Sequence, residues 1–128
     1  MNVPDDLKYT ADHEWIRISD TGKKIKSGIT DYAQSELGDI VFLEIETEDE
    51  TLGKEDAYGT IEAVKTVSDL LMPVSGKVAT VNPELEDNPE IVNADPYGEG
   101  WLIEIEMTNP QEADDLLTPE QYRELISE

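Results

Sequence analysis

The sequence has no cysteine and a single histidine, His13, among its 128 residues. Without cysteine the chain forms no disulfide, holds no thiolate-bound metal and has no cysteine nucleophile. It also lacks a G-x-S-x-G motif, a P-loop and a G-x-G-x-x-G motif in a strand-to-helix context. His13 precedes Glu14 and Trp15 at the start of a predicted strand and is interpreted as structural. No set of catalytic residues is therefore predicted, and the chain is not expected to be an enzyme.

Basic residues are scarce, with 9 Lys and Arg against 31 Asp and Glu, which gives a net charge of −22. No basic residue lies between Lys77 and Arg123. Phosphate backbones and anionic lipid surfaces would be repelled, so neither nucleic acid nor a membrane is predicted as a partner. The charge suits either a surface adapted to high salt or a docking surface for basic partners. Because the acids are spread along the chain, the salt-adapted surface is favoured.

Long apolar runs are also missing, and the N-terminal residues resemble neither a signal peptide nor a transit peptide. A cytoplasmic protein is therefore expected. The length suits one domain over residues 1–128, with a core at about 7–108 and a helical tail at 109–128.

The hydrophobic pattern predicts a mainly β fold with one short internal helix and a helical C-terminus. The helix is expected at 31–37, with Asp31 as its cap, Gln34 completing a capping box and Gly38 at its end. Two further short helices are expected after Asn109 and Thr118. A turn is expected at 20–22, and loops at 1–12 and 48–55. Strands are predicted at 13–19, 23–29, 39–46, 77–81 and 101–106, with a hairpin at 58–72 and a brief strand at 91–92. The alternation places Val41, Leu43 and Ile45 on the inner face of one strand, and Trp101, Ile103 and Ile105 on the inner face of another with Leu102 on its outer face. Tyr122, Leu125 and Ile126 lie at helical spacing, which suits packing on the sheet.

The stretch from 59 to 76, GTIEAVKTVSDLLMPVSG, is the most informative segment. β-Branched residues lead into and out of a tight turn, and Lys65 is expected at its tip. A lysine there is either an ordinary solvated side chain or an attachment site. A long amine displayed on a rigid turn suits an enzyme that must acylate one lysine and no other.

The segment EAVKTVSDLLMPVSG closely resembles the lipoyl-lysine segment of the glycine cleavage system H-protein family. Three further pieces resemble the same family in the same order: YTADHEWI, GITDYAQSELGDIVF and VNADPYGEGWL. The resemblance extends from about Leu7 to Tyr122. It implies a barrel-sandwich hybrid of strands, of the lipoyl and biotinyl type, with lipoic acid in amide linkage on Lys65.

The resemblance also implies a carrier function. The lipoyl group would accept the aminomethyl group of glycine at glycine decarboxylase and deliver it to an aminomethyltransferase. Dihydrolipoyl dehydrogenase would reoxidise the dithiol, and a lipoyl ligase or a lipoyl/octanoyl transferase would attach the group. Donation of lipoyl groups to other enzymes is a further role that the resemblance allows.

Four residues besides Lys65 match positions near the lipoyl arm. Glu62 and Asp69 match the acids that flank the lysine, and Glu14 matches the acid of the HEW motif. Tyr32 occupies a position where some members carry histidine. The resemblance implies that the loaded arm, which ends in a cationic amine, is held by Glu14 and Asp69 with Tyr32 beside them.

Small departures from the family pattern occur at Ala63, Thr66 and Met72, and they do not argue against lipoylation. A biotinyl carrier is disfavoured because neither Val64 nor Thr66 is the methionine typical of that class. An unmodified acidic interaction module remains an alternative, and the absence of any group on Lys65 would support it.

Overall fold

The computed structural model describes residues 2–19 and 23–127, and it confirms a mainly β architecture. The predicted turn at 20–22 lies outside the described residues. The strands are β1 Lys8–Tyr9, β2 Glu14–Ile18, β3 Lys24–Ile29, β4 Ile40–Glu44, β5 Thr51–Leu52, β6 Ala57–Ala63, β7 Val67–Leu71, β8 Gly76–Val81 and β9 Ile103–Met107. The helices are α1 Asp31–Leu37, α2 Glu84–Asp87, α3 Ile91–Ala94, a 3-10 helix at Pro110–Asp115 and α4 Pro119–Ile126.

Two antiparallel sheets enclose the main core. One has six strands in the order β1-β2-β3-β9-β8-β5, and the other has three in the order β4-β6-β7. Ile61 and Leu70 from the smaller sheet pack with Ile25, Val78 and Ile105 from the larger one. A second apolar cluster lies beside β1 and α4 and contains Val3, Leu7, Tyr9, Trp15, Tyr97 and Tyr122. Within the described part of the chain, no helix is long and apolar enough to cross a membrane.

The predicted hairpin around Lys65 is confirmed. β6 and β7 pair antiparallel, with Glu62 opposite Val67 and Ile61 opposite Ser68. β7 ends at Leu71, two residues before Pro73, which has no N–H to donate to a ladder. In the three-stranded sheet β7 is an edge strand, so one row of its backbone groups is left for other partners.

Two segments expected to be loops contain short strands. Lys8–Tyr9 pairs with β2, and Thr51–Leu52 pairs with β8. A two-residue strand has no periodicity of its own, because it exists only through the longer strand it pairs with. The loop predictions at 1–12 and 48–55 were wrong at these positions.

The brief strand predicted at 91–92 is wrong, because Ile91–Ala94 forms the helical turn α3. Val92 is fully buried, and the neighbouring Asn93 makes the decisive contacts. Its Oδ1 accepts from Ile40 N at 2.8 Å, and its Nδ2 donates to Gln34 Oε1 and to Gly38 O, both at 2.9 Å. These distant partners stabilise a helical turn against the strand preference of two β-branched residues.

The helix α1 has the predicted bounds, but Thr30 caps it instead of Asp31. Thr30 is extended, and its hydroxyl accepts from Ala33 N at 3.1 Å. Asp31 Oδ1 accepts from Gln34 Nε2 at 2.7 Å. Gly38 ends the helix with φ 83°, a left-handed conformation that suits glycine.

The alternation predicted for β4 is interrupted, since the register shifts between Ile40 and Phe42. Ile40 and Leu43 are buried, whereas Val41 points outward, contrary to prediction. At β9, Ile103 and Ile105 face the core as predicted. Leu102, expected on the outer face, is buried because it lies before the strand begins.

The C-terminal tail is helical as predicted, but its first helix is a 3-10 helix without the predicted cap. Thr118 and Gln121 form the predicted capping box of α4. Asn109 makes no capping hydrogen bond through its side chain, and the segment after it is a 3-10 helix. On α4, Tyr122 is fully buried, whereas Leu125 is exposed rather than packed on the sheet.

Candidate functional site

Lys65 lies at the exposed tip of the β6–β7 hairpin, as predicted. The turn is closed by a backbone hydrogen bond from Ala63 N to Thr66 O at 2.8 Å. A second bond, from Val64 N to Asp39 O at 3.0 Å, ties the turn to the segment between α1 and β4. Lys65 is therefore displayed on a turn that is held from two sides.

The stem of Lys65 lies beside the end of α1. A Cβ added to Gly38 would lie 3.4 Å from Lys65 Cε and 3.9 Å from its Nζ. Gly38 thus leaves room for the lysine stem, and its carbonyl is fixed by Asn93. Asn93 supports the place where the lysine leaves the protein surface, a role that sequence analysis missed because it depends on a helical turn predicted as a strand.

A cleft of about 330 Å³ lies between α1 and the open edge of β7. It brings together three of the predicted residues: Glu14, Tyr32 and Asp69. Glu62 is exposed on the outer face of β6 and does not line this cleft. Apolar side chains supply much of the remaining wall: Ile29, Ala33, Leu37, Ile61 and Leu70. The cleft runs along α1 from Tyr32 to Leu37, and Leu37 directly precedes Gly38, beside which the lysine stem lies.

Glu14 is buried at the side of this cleft, with 4% of its surface exposed. Its Oε2 accepts from Leu71 N on the open edge of β7 at 3.0 Å, and its Oε1 accepts from the Thr10 hydroxyl at 3.3 Å. Burial raises the pKa of Glu14 to about 8, although both hydrogen bonds favour the carboxylate. The same carboxylate raises the pKa of the buried Tyr58 phenol beyond the effect of burial alone.

His13 also lines the cleft, and its backbone is left-handed with φ 66°. Its Nδ1 lies 2.9 Å from the hydroxyl of Tyr122, which is 2.7 Å from the Thr30 hydroxyl. Its ring lies 4.7 Å from that of Tyr32, and burial lowers the pKa of His13. The predicted structural role fits these contacts, but sequence analysis did not place His13 at the site.

Another cleft, of about 460 Å³, lies between β4 and α2 and contains none of the predicted site residues. No group of three or more His, Asp or Glu able to hold a metal occurs in 2–19 or 23–127. Glu62 and Asp69 do not converge on a common cleft, so the geometry does not support an acid–base pair made from them. The site is an exposed lysine beside a partly apolar cleft whose lining includes four carboxyl groups, those of Asp12, Glu14, Glu36 and Asp69.

These features are typical of β-sheet carrier proteins, a class in which a lysine on a turn displays a covalently attached group. Residues 7–128 match the glycine cleavage H-protein family. The chain is 56% identical over 125 residues to the glycine cleavage system H protein of Salinibacter ruber, covering 98% of this chain and 99% of the relative. It is 54% identical over 127 residues to that of Bacteroides fragilis, covering 99% of each.

A solved structure is also similar. The crystal structure of a glycine cleavage system H protein from Mycobacterium marinum matches with a TM-score of 0.88 at 38% identity, covering 98% of this chain and all of that one. The chain therefore belongs to the glycine cleavage H-protein family. Members of this family are the lipoyl carriers of the glycine cleavage system and are not themselves catalysts. The resemblance drawn from the sequence motifs is confirmed, and so is the mainly β fold.

Proposed function

We propose that Lys65 carries lipoic acid in amide linkage and that the protein shuttles the aminomethyl group of glycine between the enzymes of the system. The donor enzyme is glycine decarboxylase, the acceptor enzyme is aminomethyltransferase, and dihydrolipoyl dehydrogenase receives the reducing equivalents. When bound, lipoic acid would supply a disulfide that accepts the cargo on one sulfur while the other becomes a thiol, and it would be left as a dithiol once the cargo is passed on. The observation that carries the proposal is the exposed Lys65 on a turn tied to the end of α1.

The residues that line the cleft support this proposal. Leu37 and Leu70 offer apolar contacts for a hydrocarbon chain, and the lysine stem lies beside Gly38 at the end of the same helix. Glu14 and Asp69 lie in the same cleft and suit a cationic amine. Tyr32 lines the cleft on α1, and its hydrogen bond to Glu36 raises the pKa of its phenol.

The protonation of Glu14 gives the cleft a way to distinguish an empty arm from a loaded one. With its pKa raised to about 8, Glu14 is mostly neutral at pH 7 and costs little to bury. A cationic amine placed close to it favours the carboxylate and lowers its pKa. We expect Glu14 to be protonated beside an empty arm and ionised beside the cargo.

Attachment is tested by replacing lysines one at a time and adding a lipoate ligase with lipoate and ATP. Lys65→Arg should gain no lipoyl mass, whereas Lys54→Arg and Lys77→Arg should each gain one lipoyl group as the parent does. Lys65→Arg should also fail to support glycine–bicarbonate exchange with the partner enzymes. If Lys65→Arg is still lipoylated, or if Lys54→Arg or Lys77→Arg is not, the attachment site is not Lys65.

The role of the cleft is tested with the double variant Glu14→Gln and Asp69→Asn. Lipoylation should be unchanged, because neither residue lies on the turn, while the isolated loaded protein should lose its cargo faster than the parent. Glu46→Gln with Glu48→Gln is a matched control on the exposed β4–β5 segment, outside the cleft. Equal rates of loss for the parent and the double variant would exclude the two acids as partners of the cargo.

A further inference from the structure

Large apolar side chains are exposed around Lys65 to an extent not seen elsewhere among residues 2–19 and 23–127. Six such side chains are exposed in these residues: Ile18, Val41, Phe42, Val64, Val67 and Leu125. Four of them, Val41, Phe42, Val64 and Val67, belong to β4 and to the hairpin that carries Lys65. We call these four residues the tip patch. Single exposed apolar residues are ordinary, whereas a cluster marks an interaction surface.

The strand register places Phe42 and Val67 of the tip patch on one outward face, with Glu62 between them. Phe42 pairs with Glu62 on β6, and Glu62 pairs with Val67 on β7. Directly paired side chains lie on the same face about 5 Å apart, so these three form one outward row. Val41 is exposed at the register shift beside Phe42, and Val64 is the residue before Lys65, with 76% of its surface exposed.

The patch is also preformed. Val64 is anchored through its backbone to Asp39, and the hairpin is closed by the bond between Ala63 and Thr66. Phe42, the only phenylalanine of the chain, is 49% exposed although the core holds many smaller apolar residues. A rigid apolar surface pays little ordering entropy when a partner covers it.

Its surroundings specify the charge of that partner. Asp39, Glu44 and Glu62 are exposed around the apolar residues, and neither of the ion pairs between described residues involves them. Lys65 is the only basic residue of the sequence between Lys54 and Lys77, and there is none from 27 to 53. The complementary surface therefore combines apolar groups that cover the tip patch with lysine or arginine facing these acids, including Glu62 between Phe42 and Val67.

We propose that the tip patch is the docking surface for the enzyme that acylates Lys65, an inference that rests on the proposed function. In that reaction the Lys65 amine, after losing a proton, attacks the carbonyl carbon of an activated acyl group such as an acyl-adenylate or a thioester. An amide forms, the bond to the leaving group breaks, and the second amine proton is released. This enzyme must bring the carbonyl carbon of its activated acyl group to Lys65 Nζ, so it must contact the turn that carries Lys65. Enzymes that act on the far end of the arm need no such contact.

The test compares Phe42→Gln with Val67→Thr, made together, against the parent in lipoylation by a purified lipoate ligase with lipoate and ATP. Removing two apolar contacts should raise KM for the apo protein by about tenfold or more, with kcat changed much less. Ile18→Thr with Leu125→Gln is the matched control, because these side chains are 42% and 41% exposed and lie outside the patch. Phe42→Tyr keeps the aromatic ring and should restore KM to within about twofold of the parent.

Each outcome separates the docking surface from the attachment site. If the parent is not lipoylated at Lys65, the proposed function is wrong, and the docking proposal that rests on it is overturned as well. If the parent is lipoylated and the patch variant has the parent's KM with an unchanged thermal midpoint, the docking proposal is overturned. It is also overturned if lipoylation is normal but glycine–bicarbonate exchange is lost, since the patch would then serve a later enzyme. Self-association of the parent that the variant abolishes, with lipoylation unchanged, would assign the patch to a second copy of the chain.

Discussion

Replacing Glu14 with glutamine should change how the stability of the protein depends on pH. Glu14 is buried against the edge of β7, and burial raises its pKa from 4.5 to about 8. The folded state therefore binds this proton more tightly than the unfolded state does. Unfolding releases the proton between about pH 4.5 and 8, so the contribution of Glu14 to the free energy of unfolding falls as the pH rises through that range.

The size of the effect follows from the two pKa values. A tenfold difference in proton affinity is worth about 1.4 kcal/mol, so the change from 4.5 to about 8 sets an upper bound on the order of 5 kcal/mol. That is comparable to the whole stability of a small domain, about 5–15 kcal/mol. Glutamine keeps an oxygen that can accept from Leu71 N and is neutral at every pH, so this slope should disappear.

His13 acts in the opposite direction. Burial lowers its pKa, so the unfolded state binds that proton more tightly and the contribution of His13 to stability rises as the pH rises up to about 6.5. Because His13 is present in both proteins, its contribution cancels when the variant is compared with the parent. The comparison therefore isolates Glu14.

The assay is urea unfolding of the parent and Glu14→Gln at about pH 5.5 and about pH 8.5, with the exposed Glu46→Gln as a control for the same change of charge. Relative to the parent, the free energy of unfolding of Glu14→Gln should gain on the order of 2–4 kcal/mol between the lower and the higher pH, and that of the control less than about 0.5 kcal/mol. A difference between Glu14→Gln and the parent that is the same at both pH values would refute the assignment of a raised pKa.

Three further predictions concern stability. The melting temperature should rise between low and molar potassium chloride. The Debye length falls from about 10 Å at 0.1 M to about 3 Å at 1 M, which relieves the repulsion within a chain of net charge −22. A melting temperature that stays flat or falls would contradict the salt-adapted surface. Gly59→Ala should lower the free energy of unfolding, measured in urea, by about 2 kcal/mol or more, because the alanine Cβ would lie 2.5 Å from Glu44 O in β4. An unchanged urea midpoint would show that β4 and β6 move apart there without cost. Tyr122→Phe should lower the free energy of unfolding by about 1–3 kcal/mol, because His13 and Thr30 lose their common hydrogen-bond partner. Thermal unfolding measures this change, and a loss below about 0.5 kcal/mol would mean that water replaces the hydroxyl.

Local sequence signals determined the elements that depend on neighbouring residues. The β-branched segments around Lys65 predicted the hairpin and its exposed tip, because alternation and turn chemistry act over a few residues. The bounds of Asp31–Leu37 and the capping box at Thr118 were predictable for the same reason. The motif around Lys65, together with the three further motifs in the same order along the chain, was sufficient to predict the family.

Only the tertiary structure decided features that depend on distant partners. Asn93 stabilises the helical turn at Ile91–Ala94 through hydrogen bonds to α1 and β4, which no local preference encodes. Glu14 was a match to a motif in the sequence, but its burial, its bond to Leu71 N and its raised pKa arise from packing against β7. The outward row from Phe42 to Val67 depends on the register of three strands, and strand register is a long-range property. The sequence alone therefore determined which lysine is displayed, whereas the fold determined what surrounds it.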